Sequence, residues 1–143
     1  MLLGEYRHNV DAKGRVSVPS KFRCDLGQSF VVTKGLDNCL YLYSKDEWKK
    51  FEDKLKNLPI TSQEARSFVR FFFAGASECE VDKQGRINIP QNLREYAKIQ
   101  KDVVIVGVST RAEIWSNDNW NKYTNSDSLD VSKIASQMSN LGI

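Results

Sequence analysis

The chain contains the stretch Asp11-Ala12-Lys13-Gly14-Arg15-Val16-Ser17-Val18-Pro19, and 71 residues later it contains Asp82-Lys83-Gln84-Gly85-Arg86-Ile87-Asn88-Ile89-Pro90. Both copies read Asp-x-x-Gly-Arg, followed by alternating apolar and polar residues and a proline. A glycine among polar residues is typical of a tight turn, because glycine reaches a positive φ without a Cβ clash. The alternation predicts a half-buried strand that ends at the proline. Each copy therefore predicts the tip and return strand of a β-hairpin with an arginine at the tip.

The repetition extends beyond these two stretches. Residues 42–51 and 114–123 share their order of aromatic and polar side chains, each with a tryptophan in the middle. With a one-residue slip, the alignment also matches two further positions, Val32 with Val104 and Gly35 with Gly107. The chain is therefore predicted to be a tandem duplication of a small αβ unit. A single unit of about 60–70 residues would bury a marginal core, so we expect the two halves to fold against each other.

The repeats give a predicted division of the α+β chain. The predicted segments are a first repeat over 1–58, a linking helix over 59–75, a second repeat over 76–124 and a tail helix over 125–143. Serine or threonine followed three residues later by glutamate is a capping box, which predicts helices beginning at Ser44 and at Thr61. In the tail, apolar residues recur at helical spacing, which predicts an amphipathic helix packed on a neighbouring half or subunit.

The strand pattern is clearest at the start of each repeat and in the second half. Residues 5–10 alternate and are predicted to pair with residues 15–18 through the first tip. Residues 103–108 form a continuous apolar run rich in β-branched side chains, which predicts a strand buried on both faces.

Composition excludes several classes of protein. The apolar share of 41% and the charged share of 27% are typical of a soluble globular protein. No apolar run approaches about 18 residues and the N-terminus lacks the order of a secretion signal, so we expect a cytoplasmic protein without a membrane span. Three cysteines without ligand-like spacing and a single histidine predict no metal site and no cofactor.

Positive charge is concentrated around the repeated stretches. Residues 1–23 and residues 82–101 each carry five basic and two acidic side chains, a net charge of +3 apiece, whereas the whole chain is only +3. The rest of the chain is therefore net negative. This distribution favours a polyanion as the partner of the two repeated segments.

Two interpretations of Arg15 and Arg86 are possible. Each could pair with the aspartate of its own motif and only stabilise the turn, which contributes little at a surface. Alternatively, the planar guanidinium could read guanine or grip phosphate, since a two-stranded ribbon fits the DNA major groove. The same arginine occurs at both tips, which favours the interpretation that the arginines contact DNA. The predicted contacts are the basic residues with the glycines that would let the backbone approach DNA: Lys13, Gly14, Arg15, Lys83, Gly85 and Arg86.

Asp11 and Asp82 are unsuited to contact phosphate. We interpret them as acceptors that orient the turn or its arginine. They are poor candidates for catalysis, because no nucleophile, histidine or metal cluster accompanies them. The chain is therefore not predicted to be an enzyme, and no small-molecule substrate is expected.

The chain resembles the MraZ family of bacterial transcriptional regulators. The resemblance covers essentially the full length and depends on the start Met1-Leu2-Leu3-Gly4, the two Asp-x-x-Gly-Arg motifs and the linker end Ala74-Gly75-Ala76-Ser77-Glu78-Cys79. It implies two AbrB/SpoVT-like units that form a swapped-hairpin, double-ψ-type β-barrel with packed helices. It also implies a homo-oligomeric ring, associated with the nucleoid, that binds short direct repeats upstream of its own division and cell-wall operon.

The resemblance assigns the DNA-contacting motifs to Asp11 with Arg15 and to Asp82 with Arg86, and it assigns a basic tip position to Lys13. Gln84 stands at that position in the second copy, so equal contributions from the two tips are not expected, although the neighbouring Lys83 supplies a positive charge. The alternative is an oligomeric scaffold that binds nucleic acid or acidic partners without sequence preference. Competition between promoter DNA and scrambled DNA separates the two hypotheses.

Overall fold

The chain folds into eight strands and six α-helices, and the computed structural model describes all residues, 1–143. The strands are β1 (Leu2–Asn9), β2 (Arg15–Ser17), β3 (Ser29–Lys34), β4 (Leu40–Ser44), β5 (Ser77–Glu80), β6 (Arg86–Asn88), β7 (Asp102–Ser109) and β8 (Ala112–Ser116). The helices are α1 (Ser20–Leu26), α2 (Lys45–Lys56), α3 (Gln63–Gly75), α4 (Gln91–Tyr96), α5 (Asn117–Thr124) and α6 (Val131–Met138). Short 3₁₀ turns lie at Leu36–Asn38 and Ser139–Leu141.

The strands form a six-stranded antiparallel sheet in the order β1-β7-β8-β4-β3-β5 and a two-stranded sheet of β2 and β6. Strands β5 to β8 repeat β1 to β4. If each strand is replaced by its equivalent in the other repeat, the strand order of the large sheet becomes the same order read from the opposite edge. The two repeats are related by a pseudo-two-fold arrangement, in which each repeat supplies the edge strand of the other.

The predicted pairing of the first strand with residues 15–18 is wrong. Strand β1 pairs with β7 along its whole length, and β2 pairs with β6. The first tip is closed by the Asp11 amide, which donates to the Arg15 carbonyl (2.9 Å), and the chain then leaves towards the other repeat. Because both copies have the same pattern of apolar and polar residues, the sequence does not distinguish pairing within a repeat from pairing between repeats.

The register corrects one part of the alignment. Val32 pairs with Leu42 and Ile105 pairs with Ile114, so the equivalent of Val32 is Ile105, not Val104. For the same reason Gly107 is the equivalent of Lys34, not of Gly35. Counted between equivalent residues, the second repeat has two extra residues between Arg94 and Ile105 and one residue fewer between Ile105 and Ile114, which the sequence alignment missed.

The large sheet is covered on both faces. On one face, a cluster of 20 buried residues joins the sheet to β2, β6, α1 and α4. On the other, an aromatic cluster joins it to α2, α3 and α5. Along β4 the side chains alternate, with Leu42 in the first cluster and Tyr43 in the second. The four central strands are mostly apolar because neither face meets water, and Thr33 and Glu113 are buried polar exceptions. The predicted buried strand over 103–108 is buried at residues 103–105, whereas Val108 is 37% exposed.

Serine side chains begin three helices. The hydroxyl of Ser44 accepts from the Glu47 amide (3.2 Å), and that of Ser116 accepts from the Asn119 amide (3.0 Å). The prediction that Thr61 caps α3 is wrong by one residue, since Ser62 accepts from the Ala65 amide (3.2 Å). A turn in which the Ser62 amide donates to the carbonyl of Pro59 places the serine, and not the threonine, at the helix start.

The ladders of the two sheets do not close on themselves, so the architecture is α+β and the double-ψ-type barrel stays a prediction. No helix is both long and apolar enough to cross a membrane. The predicted amphipathic tail helix is present as α6, and its residues are exposed over its whole length.

Candidate nucleic-acid interface

In the first tip, residues 11–14, the carboxylate of Asp11 organises the turn. Its Oδ1 accepts from the backbone amides of Lys13 (3.0 Å) and Arg15 (2.8 Å), and its Oδ2 accepts from Arg15 Nε (2.8 Å). The backbone hydrogen bond from Arg15 is the largest cause of a lowered Asp11 pKa, and the side-chain bond from Arg15 adds to it. The ionised carboxylate therefore orients both the turn and its arginine.

The second tip, residues 82–85, repeats this arrangement. Asp82 Oδ1 accepts from the amides of Gln84 (2.8 Å) and Arg86 (2.9 Å), and Oδ2 accepts from Arg86 Nε (3.1 Å). The backbone hydrogen bond from Arg86 is again the largest cause of a lowered Asp82 pKa. The two tips are thus the same structural unit, built by the same five-residue motif.

Each tip glycine lies under an arginine of the opposite repeat. Gly14 has φ +83° and Gly85 has φ +77°, the left-handed region that favours glycine. A Cβ on Gly14 would lie 2.9 Å from Arg94 Cζ, and a Cβ on Gly85 would collide with Arg23 Nη1. The side of each glycine that lacks a Cβ therefore faces an arginine instead of open space.

Arg23 and Arg94 were not among the site residues predicted from the sequence. They occupy equivalent positions in α1 and α4, and the matched pairs Phe22-Arg23 and Leu93-Arg94 were the only signal of their importance. Arg94 Nε also donates to the Ile89 carbonyl (3.0 Å), whereas no such bond fixes Arg23. Strand exchange between the repeats brings each arginine to the other repeat's tip, so each tip has an additional cation.

The outward side of the two-stranded sheet brings both motif arginines together. Val16 and Ile87 are paired and buried, so the residues on either side of them point outward; we call this outward side the ribbon face, formed by Arg15, Ser17, Arg86 and Asn88. Arg86 Nη1 lies 3.9 Å from Asp11 Oδ2, the same oxygen that accepts from Arg15 Nε. The two guanidiniums therefore converge on one carboxylate.

Hydrogen bonds hold the tips against the ribbon. The Gly14 carbonyl accepts from the Ile89 amide (2.8 Å), and the Gly85 carbonyl accepts from the Val18 amide (2.9 Å). Asn88 Nδ2 also donates to the Lys13 carbonyl (3.2 Å). Because these bonds cross between the repeats, the tips and the ribbon face form one continuous surface.

Hydrogen-bonding capacity remains on this surface. Each motif arginine uses Nε for its aspartate, and neither donates a hydrogen bond from its terminal nitrogens. Lys13 and Lys83 are exposed and form no salt bridge within the chain. Guanidinium and ammonium donors held in this way can bind phosphate oxygens or the acceptor edge of guanine.

One more lysine adjoins the first tip. The longer connection between α4 and β7 ends at Lys101, whose carbonyl accepts from the amide of Val10 (2.7 Å), next to Asp11. At the second tip the equivalent acceptor is the carbonyl of the uncharged Gln28. Lys101 was also missed as a site residue, since only the fold shows that its loop borders the first tip.

Comparison with known proteins gives full-length matches. The family described as "MraZ protein, putative antitoxin-like" matches residues 1–71 and again residues 72–141. Proteins named transcriptional regulator MraZ are 65% identical in Caldicellulosiruptor saccharolyticus, 61% in Alkaliphilus oremlandii and 59% in Alkaliphilus metalliredigens. Each of these alignments covers 143 residues, which is all of both chains. The two matched segments agree with the duplication predicted from the sequence.

Proposed function

The chain belongs to the MraZ family, and we propose that it is a sequence-specific transcription regulator that binds double-stranded DNA through the ribbon face and the two tips. The observation that carries this proposal is the convergence of two arginines that are held at Nε by aspartates and donate no hydrogen bond from their terminal nitrogens. The proposed DNA target is a set of short direct repeats upstream of its own division and cell-wall operon. The protein would act there, on the nucleoid in the cytoplasm.

The local geometry supports DNA as the ligand. A two-stranded ribbon fits the major groove, which is about 12 Å wide. Holding Nε on a carboxylate leaves the end of the guanidinium facing outward in a fixed plane, and this suits two parallel hydrogen bonds to guanine O6 and N7. Lys13 and Lys83, beside the arginines, would bind the phosphates that border the groove.

Affinity would come from several copies acting together. One chain offers few phosphate contacts, so its binding alone would be weak and strongly dependent on salt. A homo-oligomeric ring that presents successive ribbon faces to repeats spaced by about one helical turn, roughly 34 Å, converts weak contacts into avidity. We include this ring in the proposal, together with a double-ψ-type topology for the core beneath the ribbon.

The test is competition between DNA fragments. A labelled fragment with the upstream direct repeats is bound to the protein, and unlabelled repeat DNA or scrambled DNA of the same composition is added at moderate salt. Fluorescence polarisation should show displacement by the repeats and little by the scrambled fragment. Equal displacement would reject sequence-specific regulation and favour the scaffold that binds any polyanion through its unpaired lysines.

A charge-matched control accompanies this test. Lys49→Ala removes one exposed positive charge from α2, on the other side of the large sheet, and should leave the competition unchanged. If Lys49→Ala weakens repeat binding as much as the loss of a tip residue does, the binding surface lies elsewhere.

A further inference from the structure

The tail helix α6 exposes an apolar face. All residues from 130 to 143 are exposed; Val131 and Leu141 are 70% and 72% exposed, and Ile134 and Met138 are 36% exposed. With Ile134 and Met138 they follow helical spacing, so they lie on one side of the tail. An amphipathic helix of this kind is stable in water chiefly when its apolar face is packed on a partner.

A groove of complementary character lies at the corner between α2 and α3. It encloses about 290 Å³, and its apolar lining includes Leu58, Val69 and Ile60, of which Ile60 is 81% exposed. Three basic residues also line it, Lys56, Arg66 and Arg70, and no acidic residue does. The groove is therefore apolar at its base and has a basic rim, in which Lys56 is paired with Glu52 (3.5 Å) and Arg66 and Arg70 form no ion pair.

The charges of the tail match this groove. Asp127 and Asp130 lie at the start of the tail helix, where Asp130 Oδ1 accepts from the Lys133 amide (3.2 Å), and Lys133 is the one basic residue in the segment 125–143. Opposite charges around an apolar contact add specificity and orient the two surfaces. A tail docked by its apolar face would place its acidic end among the three groove cations.

We propose that the groove between α2 and α3 binds the α6 tail of a second copy of this chain. Within the folded chain, both the groove and the tail are exposed, so the tail does not fill its own groove. A contact between two different surfaces is heterologous, and repetition of such a contact closes into a ring when the rotation permits. The inference thus rests on the assembly part of the proposed function and supplies its contact surface.

Cross-linking between isotopically distinct chains tests which copy supplies the tail. Equal amounts of ordinary and ¹⁵N-labelled full-length protein are mixed, treated with an amine-reactive cross-linker and digested. Mass spectrometry should find Lys56 of one isotope joined to Lys133 of the other. A Lys56–Lys133 link only within one isotope, or no such link, overturns the proposal, since the tail then lies in its own groove or outside any groove.

Matched variants test whether the contact holds the assembly together. Ile134→Glu, on the apolar side of the tail, should lower the mass measured by sedimentation velocity without DNA, and Ser136→Glu on the opposite side should not. On the groove, Ile60→Glu should act like Ile134→Glu. Because Ile60 and Ile134 are exposed, we expect all three variants to fold, which circular dichroism checks.

The outcomes separate this inference from the proposed function. A wild-type protein that sediments as a monomer at all concentrations rejects both the ring and the docking. An assembly whose mass is unchanged by Ile134→Glu rejects the docking alone. Partial recovery of the assembly when Arg70→Glu is combined with Asp127→Lys, compared with either change alone, would support the charge pairing. A combined variant no better than the singles would reject it.

Discussion

In the first tip the amides of Lys13 and Arg15 donate to Asp11, and in the second tip the amides of Gln84 and Arg86 donate to Asp82. The backbone and the aspartate are thus used identically, but the single lysine of each tip stands at a different position: Lys13 directly precedes the glycine, whereas Lys83 lies one position earlier and Gln84 precedes the glycine. The arginines differ as well, because Arg86 approaches both aspartates whereas Arg15 contacts only its own.

The surroundings enlarge this difference. Lys101 adjoins the first tip, whereas the uncharged Gln28 takes the equivalent place beside the second tip. The same turn geometry is therefore combined with one more positive charge beside the first tip. We infer that the first tip is the main DNA anchor of each chain and that the second tip has the supporting role.

The largest expected effect comes from removing one arginine at a time. Arg15→Ala should largely abolish binding to the repeat DNA, because about 1–3 kcal/mol is lost in every copy of an assembly that binds cooperatively. Arg86→Ala should weaken binding less, since Arg86 is already shared between two carboxylates. Fluorescence polarisation measures both affinities.

Sedimentation of the two variants should match the wild type, which shows that the assembly is intact. Their melting temperatures should fall only slightly, because the ion pairs that they lose are partly exposed and are worth under about 1 kcal/mol each. Retention of repeat binding by Arg15→Ala would contradict the assignment of the DNA contact. A larger loss with Arg86→Ala than with Arg15→Ala would reverse the order of the two tips.

The next-largest effect is the loss of folding stability when the glycine of either tip is replaced. Gly14→Ala and Gly85→Ala place a Cβ on a residue with positive φ, which costs about 1–2 kcal/mol. Gly14→Ala should cost more, because Arg94 is held by the Ile89 carbonyl while Arg23 is free to move away. Urea denaturation measures the free energy of unfolding of each variant.

The matched control is Gly14→Ala made in an Arg94→Ala background. The Cβ at position 14 then no longer meets the guanidinium of Arg94, so the loss of stability in this background reports the backbone strain alone. If Gly14→Ala costs as much in this background as in the wild type, the packing of Arg94 over the tip does not contribute to stability.

A smaller effect should follow from exchanging the residues that distinguish the tips. Lys13→Gln should make the dependence of log K on log salt concentration shallower by about 0.9 for each chain on the DNA, and Gln84→Lys should make it steeper by a similar amount. Titrations at several salt concentrations give these slopes. Unchanged slopes in both variants would show that neither position lies near a phosphate.

The sequence predicted the local elements of this fold well where one pattern determines the outcome. Ser44 caps helix α2 as predicted, because a serine hydroxyl directly before a helix accepts a hydrogen bond from a free amide of the first turn. The apolar run of β7 is buried over residues 103–105, as its lack of alternation indicated, and it becomes exposed towards Val108. The duplication itself was visible because both copies keep the same residues at the tips.

What the sequence did not predict is how the two copies combine. Strands β2 and β6 carry the same pattern and could each pair with their own neighbour, so the exchange between repeats depends on tertiary packing. That exchange is also what brings Arg94 over Gly14 and Arg23 over Gly85. Arg23 and Arg94 reach the tips only through this exchange, so a motif read along the sequence does not identify them.

The smallest expected effect is the pH dependence of the aspartates that organise the tips. The pKa values of Asp11 and Asp82 are lowered, mainly by backbone hydrogen bonds from Arg15 and Arg86. A carboxylate with a lowered pKa stabilises the fold fully above its unfolded value of about 3.9, and this stabilisation is lost as the pH falls through the folded pKa. Asparagine keeps an acceptor for the amides but cannot ionise.

Thermal melts of the wild type, Asp11→Asn and Asp82→Asn between pH 3 and 7 test this dependence. Each variant should melt below the wild type at pH 5–7, and the gap should narrow below about pH 4, where the wild-type carboxylates become protonated. The other acids are common to all three proteins and cancel in the gap. Since Asp11 is approached by two guanidiniums and Asp82 by one, the gap should be wider for Asp11→Asn. A gap that stays constant or widens on acidification would mean that the amide hydrogen bonds hold the tips without help from the charge.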